Sequence, residues 1–116
     1  MDDEERRKVA RIVGRVWPED SEIVGEPALL ELADDPQRFR APGPGDHIDL
    51  MPIFEVLKGA VELVAACVSL YVAVRSARGA SKADGELADR LEQAVQDRVI
   101  SPDQAEELRT LIKAGA

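Results

Sequence analysis

The side chains able to do chemistry are few and scattered. His47, the single histidine, stands in Asp46-His47-Ile48-Asp49, the one place where imidazole and carboxylates meet. An imidazole beside two acids could shuttle a proton or begin a metal site. A metal site needs further ligands at a matching spacing, and no second ligand pair follows. The segment comes directly after Ala41-Pro42-Gly43-Pro44-Gly45, where proline withholds donors and glycine admits unusual dihedrals. It therefore reads as a loop that delivers a helix cap at Asp49. Asp34-Asp35, followed by Pro36, reads as helix-end chemistry rather than a catalytic dyad. Pro42–Gly45 lacks the spacing and the Lys-Ser/Thr of a phosphate loop. Cys67, the only thiol, lies inside an apolar stretch, where burial raises its pKa and leaves it inert. One cysteine also rules out an internal disulfide and a Cys-based zinc site. The expectation is a protein with no catalytic, cofactor-binding or metal-ligating residues, hence not an enzyme and without a cofactor.

Composition narrows the partners. The formal charge is −8, which disfavours nucleic acid, since binding there depends on neutralising phosphates with Lys and Arg. At 116 residues the chain suits one domain. With 3% aromatic residues, its core must be built from Leu, Val, Ile and Ala, which favours closely packed helices over a deep cavity. Met1-Asp2-Asp3-Glu4-Glu5 has no apolar run behind it, so no signal peptide is read and a reducing cytoplasm is the expected location. Heavy use of Arg and Ala over Lys and Ile resembles a chain from a GC-rich bacterium.

Apolar periodicity then places the elements. Asp3 to Trp17 reads as an amphipathic helix with Val9, Ile12, Val13, Val16 and Trp17 on one face. Its opening acids suit the positive end of the helix dipole, and Asp2–Arg6, Asp3–Arg7 and Glu4–Lys8 are spaced to pair. Pro18 ends it. Glu19 to Gly25 reads as a connector. Pro27 can open a short helix through Ala33, with a strand over Leu29–Leu32 as the alternative. Asp35-Pro36 can start one further turn through Phe39.

The dominant element is a helix from Pro52 to about Arg78. Ile53, Val56, Ala60, Leu63, Cys67, Leu70 and Val74 form one apolar stripe, and Phe54, Leu57, Val61, Val64, Val68 and Tyr71 another. A helix so apolar on nearly every side is expected to be wrapped by other segments, a partner chain or lipid. Ala65, Ser69, Ala73 and Ala77, each four residues after the last, let a second helix backbone come close. That second helix could belong to the same domain or to another subunit. Glu55, Lys58 and Glu62 interrupt the first half and mark a water-facing edge, which disfavours a membrane span without excluding it. Arg75 and Arg78 suit the carbonyl end, and Gly79 can cap it.

Ser81 to Gly85 reads as a polar linker. A helical hairpin follows. Leu87, Leu91, Ala94, Val95 and Val99 form its first apolar face, with a short link at Ile100. Ser101-Pro102-Asp103-Gln104 announces the second helix, with Ser at the N-cap and Gln closing a capping box. Ala105, Leu108, Leu111 and Ile112 continue the face. This hairpin resembles the short C-terminal helical hairpins of the SHOCT type, in which a glycine is usual where Arg98 stands here.

A second resemblance spans Leu29 to Arg78. Leu32-Ala33-Asp34-Asp35-Pro36, then Ala41-Pro42-Gly43-Pro44-Gly45-Asp46, then a long Ala/Val/Leu helix closing on Val74-Arg75-Ser76-Ala77-Arg78, resembles the effector-associated constant component of bacterial conflict systems. That resemblance implies a non-catalytic coupling component between a sensor and an effector. The family has a Trp near the helix end and a β-strand after it; here Tyr71 stands near that position and a helical hairpin follows.

Together these readings predict an all-α fold of four to five helices packed around one long apolar central helix, with a C-terminal helical hairpin. They predict a single helical domain over 1–116, divided as 1–46, 47–79 and 81–116. The function expected is that of an adaptor or oligomerisation module acting through helix–helix contacts. Its partner is another protein or a second copy, with Ala65, Ser69, Ala73, Ala77 and Trp17 as the interface, Trp17 being otherwise a core anchor, which is the safer reading. A small membrane-associated protein that inserts the central helix is the alternative.

Overall fold

The computed structural model describes residues 3–34 and 51–115, and all regular structure among them is helical. The helices are α1 (Asp3–Val16), α2 (Pro18–Val24), α3 (Glu26–Asp34), α4 (Met51–Arg78), α5 (Ala80–Gln96) and α6 (Pro102–Lys113). The all-α architecture with one long apolar helix and a C-terminal hairpin is as expected. The chain groups into two compact units, Met1–Glu62 and Leu63–Ala116, and the division falls inside α4. Asp46, His47 and Asp49, the Pro/Gly loop and the turn expected after Pro36 lie outside the described residues.

In the first unit, α1 has acids in its first turn and Arg15 in its last, matching the helix dipole. Val9, Ala10, Ile12, Val13 and Val16 are buried along one face. The chain then bends at Trp17, whose N–H still donates to the Val13 carbonyl at 2.9 Å. Glu19–Gly25, expected as a connector, belongs mostly to α2. Its polar composition hides the helix, but Pro18 at the first position presets φ and gives up only an N–H that has no helical partner. Glu19 and Asp20 then sit at the favourable end of the dipole. Ser21 is buried, and its hydroxyl donates to the Val13 carbonyl at 3.4 Å, tying α2 to α1. Gly25 adopts φ 85°, a conformation that L side chains resist, and α3 begins at the next residue. Leu29, Leu32 and Ala33 are buried, and α1, α2 and α3 contact one another pairwise. Arg6 bridges Asp3 at 2.8 Å and Asp34 at 3.2 Å. Asp34 is therefore a helix-end ion-pair partner.

In the second unit, Gly79 at φ 93° joins α4 to α5 directly. The expected linker over Ser81–Gly85 is instead the first part of α5. Ala83 is completely buried there, and Asp84 pairs with Lys113 of α6 at 3.4 Å. These two contacts outweigh the low helix propensity of Gly85. Leu87, Leu91 and Ala94 of α5 and Leu108 and Ile112 of α6 are buried where the two helices pack. The capping box forms as expected: the Gln104 N–H donates to Ser101 Oγ at 3.1 Å, and the Ser101 N–H to Gln104 Oε1 at 2.9 Å.

The hairpin link differs from expectation in one respect. Val99 is 54% exposed, and Ile100 takes the buried place. The cause is Arg98 at φ 62°, which reverses the chain and lets the Val99 N–H reach the Ala94 carbonyl at 2.9 Å. A non-glycine residue pays about 1 kcal/mol for that conformation. Arg98→Gly is expected to raise stability by about 0.5–1 kcal/mol. Urea denaturation should show a higher midpoint with an unchanged slope.

Candidate functional site: the outward face of the central helix

The 28 residues of α4 make it the longest helix. Pro52 is tolerated in its first turn, and a run of Leu, Val and Ala carries it forward. At the far end Arg75 and Arg78 face the negative end of the dipole, and the Gly79 N–H donates to the Arg75 carbonyl at 3.0 Å.

The two apolar stripes of α4 have different fates. Phe54, Leu57, Val61, Val64, Val68 and Tyr71 are all buried. The other stripe is divided. Ala60, Leu63 and Cys67 are buried, Ile53, Leu70 and Val74 are half-buried, and Val56 is 48% exposed. Within the single chain the helix is therefore covered on one side only, and cover of the other side by a partner chain or lipid remains an expectation. The physical reason lies in residue size. Large side chains gather on the inward side, and the outward side is built mostly from Ala, Ser and Glu, whose exposure costs little.

The small-residue stripe lies on that outward side. Ala65 is half-buried, and Ser69, Ala73 and Ala77 are exposed. Trp17, which the sequence allowed as core anchor or interface residue, is 9% exposed and part of the first unit's core. Its large apolar surface is worth more inside than at an edge. Three residues that sequence reasoning missed complete the face. Ala66, Val72 and Ser76 are exposed, with Val72 at 46%. The signal was present: Glu62, Ala66, Ser69, Ala73 and Ser76 recur at steps of four and three, the seam spacing of paired helices. Glu55 and Glu62 are exposed and Lys58 is half-buried, so the polar edge faces water as expected.

Cys67 is fully buried, and burial pushes its thiol up to about 11, with Arg90 lowering it slightly. No group of His, Cys, Asp and Glu among the described residues could hold a metal ion. Compared with known proteins, the chain matches no family model, no curated protein and no solved structure.

Two outcomes follow from this division of the helix. Leu57→Ala is expected to cost about 2–5 kcal/mol, and Val72→Ala to stay within about 0.5 kcal/mol of the parent, by denaturant titration. For Cys67, the folded state holds the proton more tightly than the unfolded state. Its contribution is complete below the ordinary thiol value of 9.0 and is lost as pH rises through about 11. The stability difference between the parent and Cys67→Ala should shift against the parent over that window.

Proposed function

We propose that this protein is a non-catalytic oligomerisation module, with the outward face of α4 as its contact surface. The observation that carries this reading is a helix whose inward side is occupied by large apolar residues while its outward side exposes Ala66, Ser69, Ala73 and Val72. Small side chains let a second helix approach closely, so that backbone and Cβ contacts accumulate. Val72 adds apolar area, and burial is worth about 25 cal/mol per Å².

A second copy of the chain fits this face in an antiparallel arrangement about a two-fold axis at Ser69. In that register Val72 of one copy meets the small Ala66 of the other, and Ala65 meets Ala73. Bulk then meets a gap, which is the self-complementarity that a two-fold interface needs. The resemblance of Leu29–Arg78 to the effector-associated constant component supports a cellular role for the module. It is that of a cytoplasmic coupling component between sensor and effector in a bacterial conflict system, with a helical partner taking the same face.

Multi-angle light scattering tests the proposal. The parent chain is expected to self-associate across the micromolar range. Ser69→Glu is expected to be monomeric at the same concentrations, with stability within about 0.5 kcal/mol of the parent because the position is exposed. A parent that stays monomeric throughout that range overturns self-association.

One observation favours a second reading. Pro52–Arg78 is long and apolar enough by length and composition to cross a membrane, with 44% of its most apolar window buried. In that reading Leu63–Val74 inserts, and Arg75, Arg78 and Lys82 lie at the headgroups. Full recovery of the protein in the soluble fraction without detergent removes it.

A further inference from the structure

The three helices of the first unit also form a groove, and its walls carry opposite charges. Each helix contributes residues at helical spacing: Arg7, Ala10, Arg11 and Gly14 from α1, Pro18, Ser21 and Glu22 from α2, and Glu26, Leu29 and Leu30 from α3. The space between them is about 470 Å³, within the range that small-molecule sites occupy. Ala10, Leu29 and Leu30 supply apolar surface. Arg7 and Arg11 stand one turn apart on the α1 wall, and Glu22 and Glu26 stand on either side of Gly25 on the other.

None of these four charged residues takes part in an ion pair among the described residues. Arginine elsewhere in the same unit does find its carboxylates, as Arg6 does with Asp3 and Asp34. Two guanidinium groups and two carboxylates thus border one opening without closing on each other. On the α1 wall, no neighbouring atom lies within 4 Å of the position a Gly14 Cβ would take, so the groove is open there as well.

From this geometry we infer that the α1–α2–α3 groove binds a small zwitterion of the amino-acid or short-peptide class. Its carboxylate meets Arg7 and Arg11, its ammonium meets Glu22 and Glu26, and an aliphatic side chain lies against Leu29 and Leu30. The charge pattern selects this class. A simple anion is attracted by one wall and repelled by the other, and a metal cation meets the reverse. A ligand with both charges satisfies both walls, and Arg provides paired donors for its carboxylate. This inference is independent of the α4 face, so either can fail without the other.

The experiment is an amide NMR titration of the full chain with leucyl-leucine, run beside leucine to separate peptide from free amino acid. Saturable shifts confined to α1, α2 and α3 are expected with at least one of the two probes at millimolar concentrations. N-acetyl-leucyl-leucine, which lacks the ammonium, and leucyl-leucine amide, which lacks the carboxylate, should each bind roughly tenfold more weakly, the effect of losing about 1.4 kcal/mol. Gly14→Leu is the second arm. Leucine is the better helix former, so the variant should fold, while its side chain fills the open space and abolishes binding. Three results would each overturn the proposal: no saturable shift with either zwitterion, equal binding of the blocked peptides, or unchanged binding in a folded Gly14→Leu variant.

Discussion

The lengthwise division of α4 is the constraint on which the rest depends. One helix must bury Phe54, Leu57, Val61, Val64, Val68 and Tyr71, and does so along a single continuous stripe. With aromatic residues at 3% of the chain, that stripe and its counterparts are the main source of apolar burial. The pitch of the helix fixes which residues share a side, and beside Ala and Ser the exposed side keeps Val56 and Val72. The exposed Ala/Ser surface is therefore the other side of the same sequence decision. It costs the isolated chain little.

The chemistry of the described residues agrees with an assembly role. Cys67 lies inside the protein with its thiol pushed up to about 11, which makes it a packing residue. Asp34 is occupied by Arg6 at 3.2 Å.

Much of the fold was legible because several local signals agreed. The boundaries of α1, the start of α6 and the end of α4 each combine periodicity with a cap, a proline or a terminal charge. Ser101 and Gln104 form the reciprocal pair that their spacing announced. The elements that escaped notice are those where tertiary contacts outvote composition. α2 looks like a polar connector until Ser21 is seen bonded to Val13, and the start of α5 looks like a linker until Ala83 is seen buried. Val99 and Ile100 exchange places because the positive φ at Arg98 turns the chain, at a position where the resemblance to SHOCT-type hairpins implied a glycine. The candidate site was half legible. Spacing gave Ala65, Ser69, Ala73 and Ala77, but two adjacent apolar stripes fit one helix equally well, and only packing decides which becomes core. Trp17 was open to either reading, core or interface, and it lies inside.

Thiol reactivity along α4 tests the central claim most directly. In a Cys67→Ala background, single cysteines replace Val68 on the inward side and Ala73 on the outward side. Labelling rates are then followed as the protein is concentrated from nanomolar to tens of micromolar. The account predicts that the cysteine at position 68 reacts slowly throughout. The cysteine at position 73 should react freely when dilute and become protected as copies meet. Equal reactivity at the two positions, or a rate at position 73 that never changes with concentration, would contradict it.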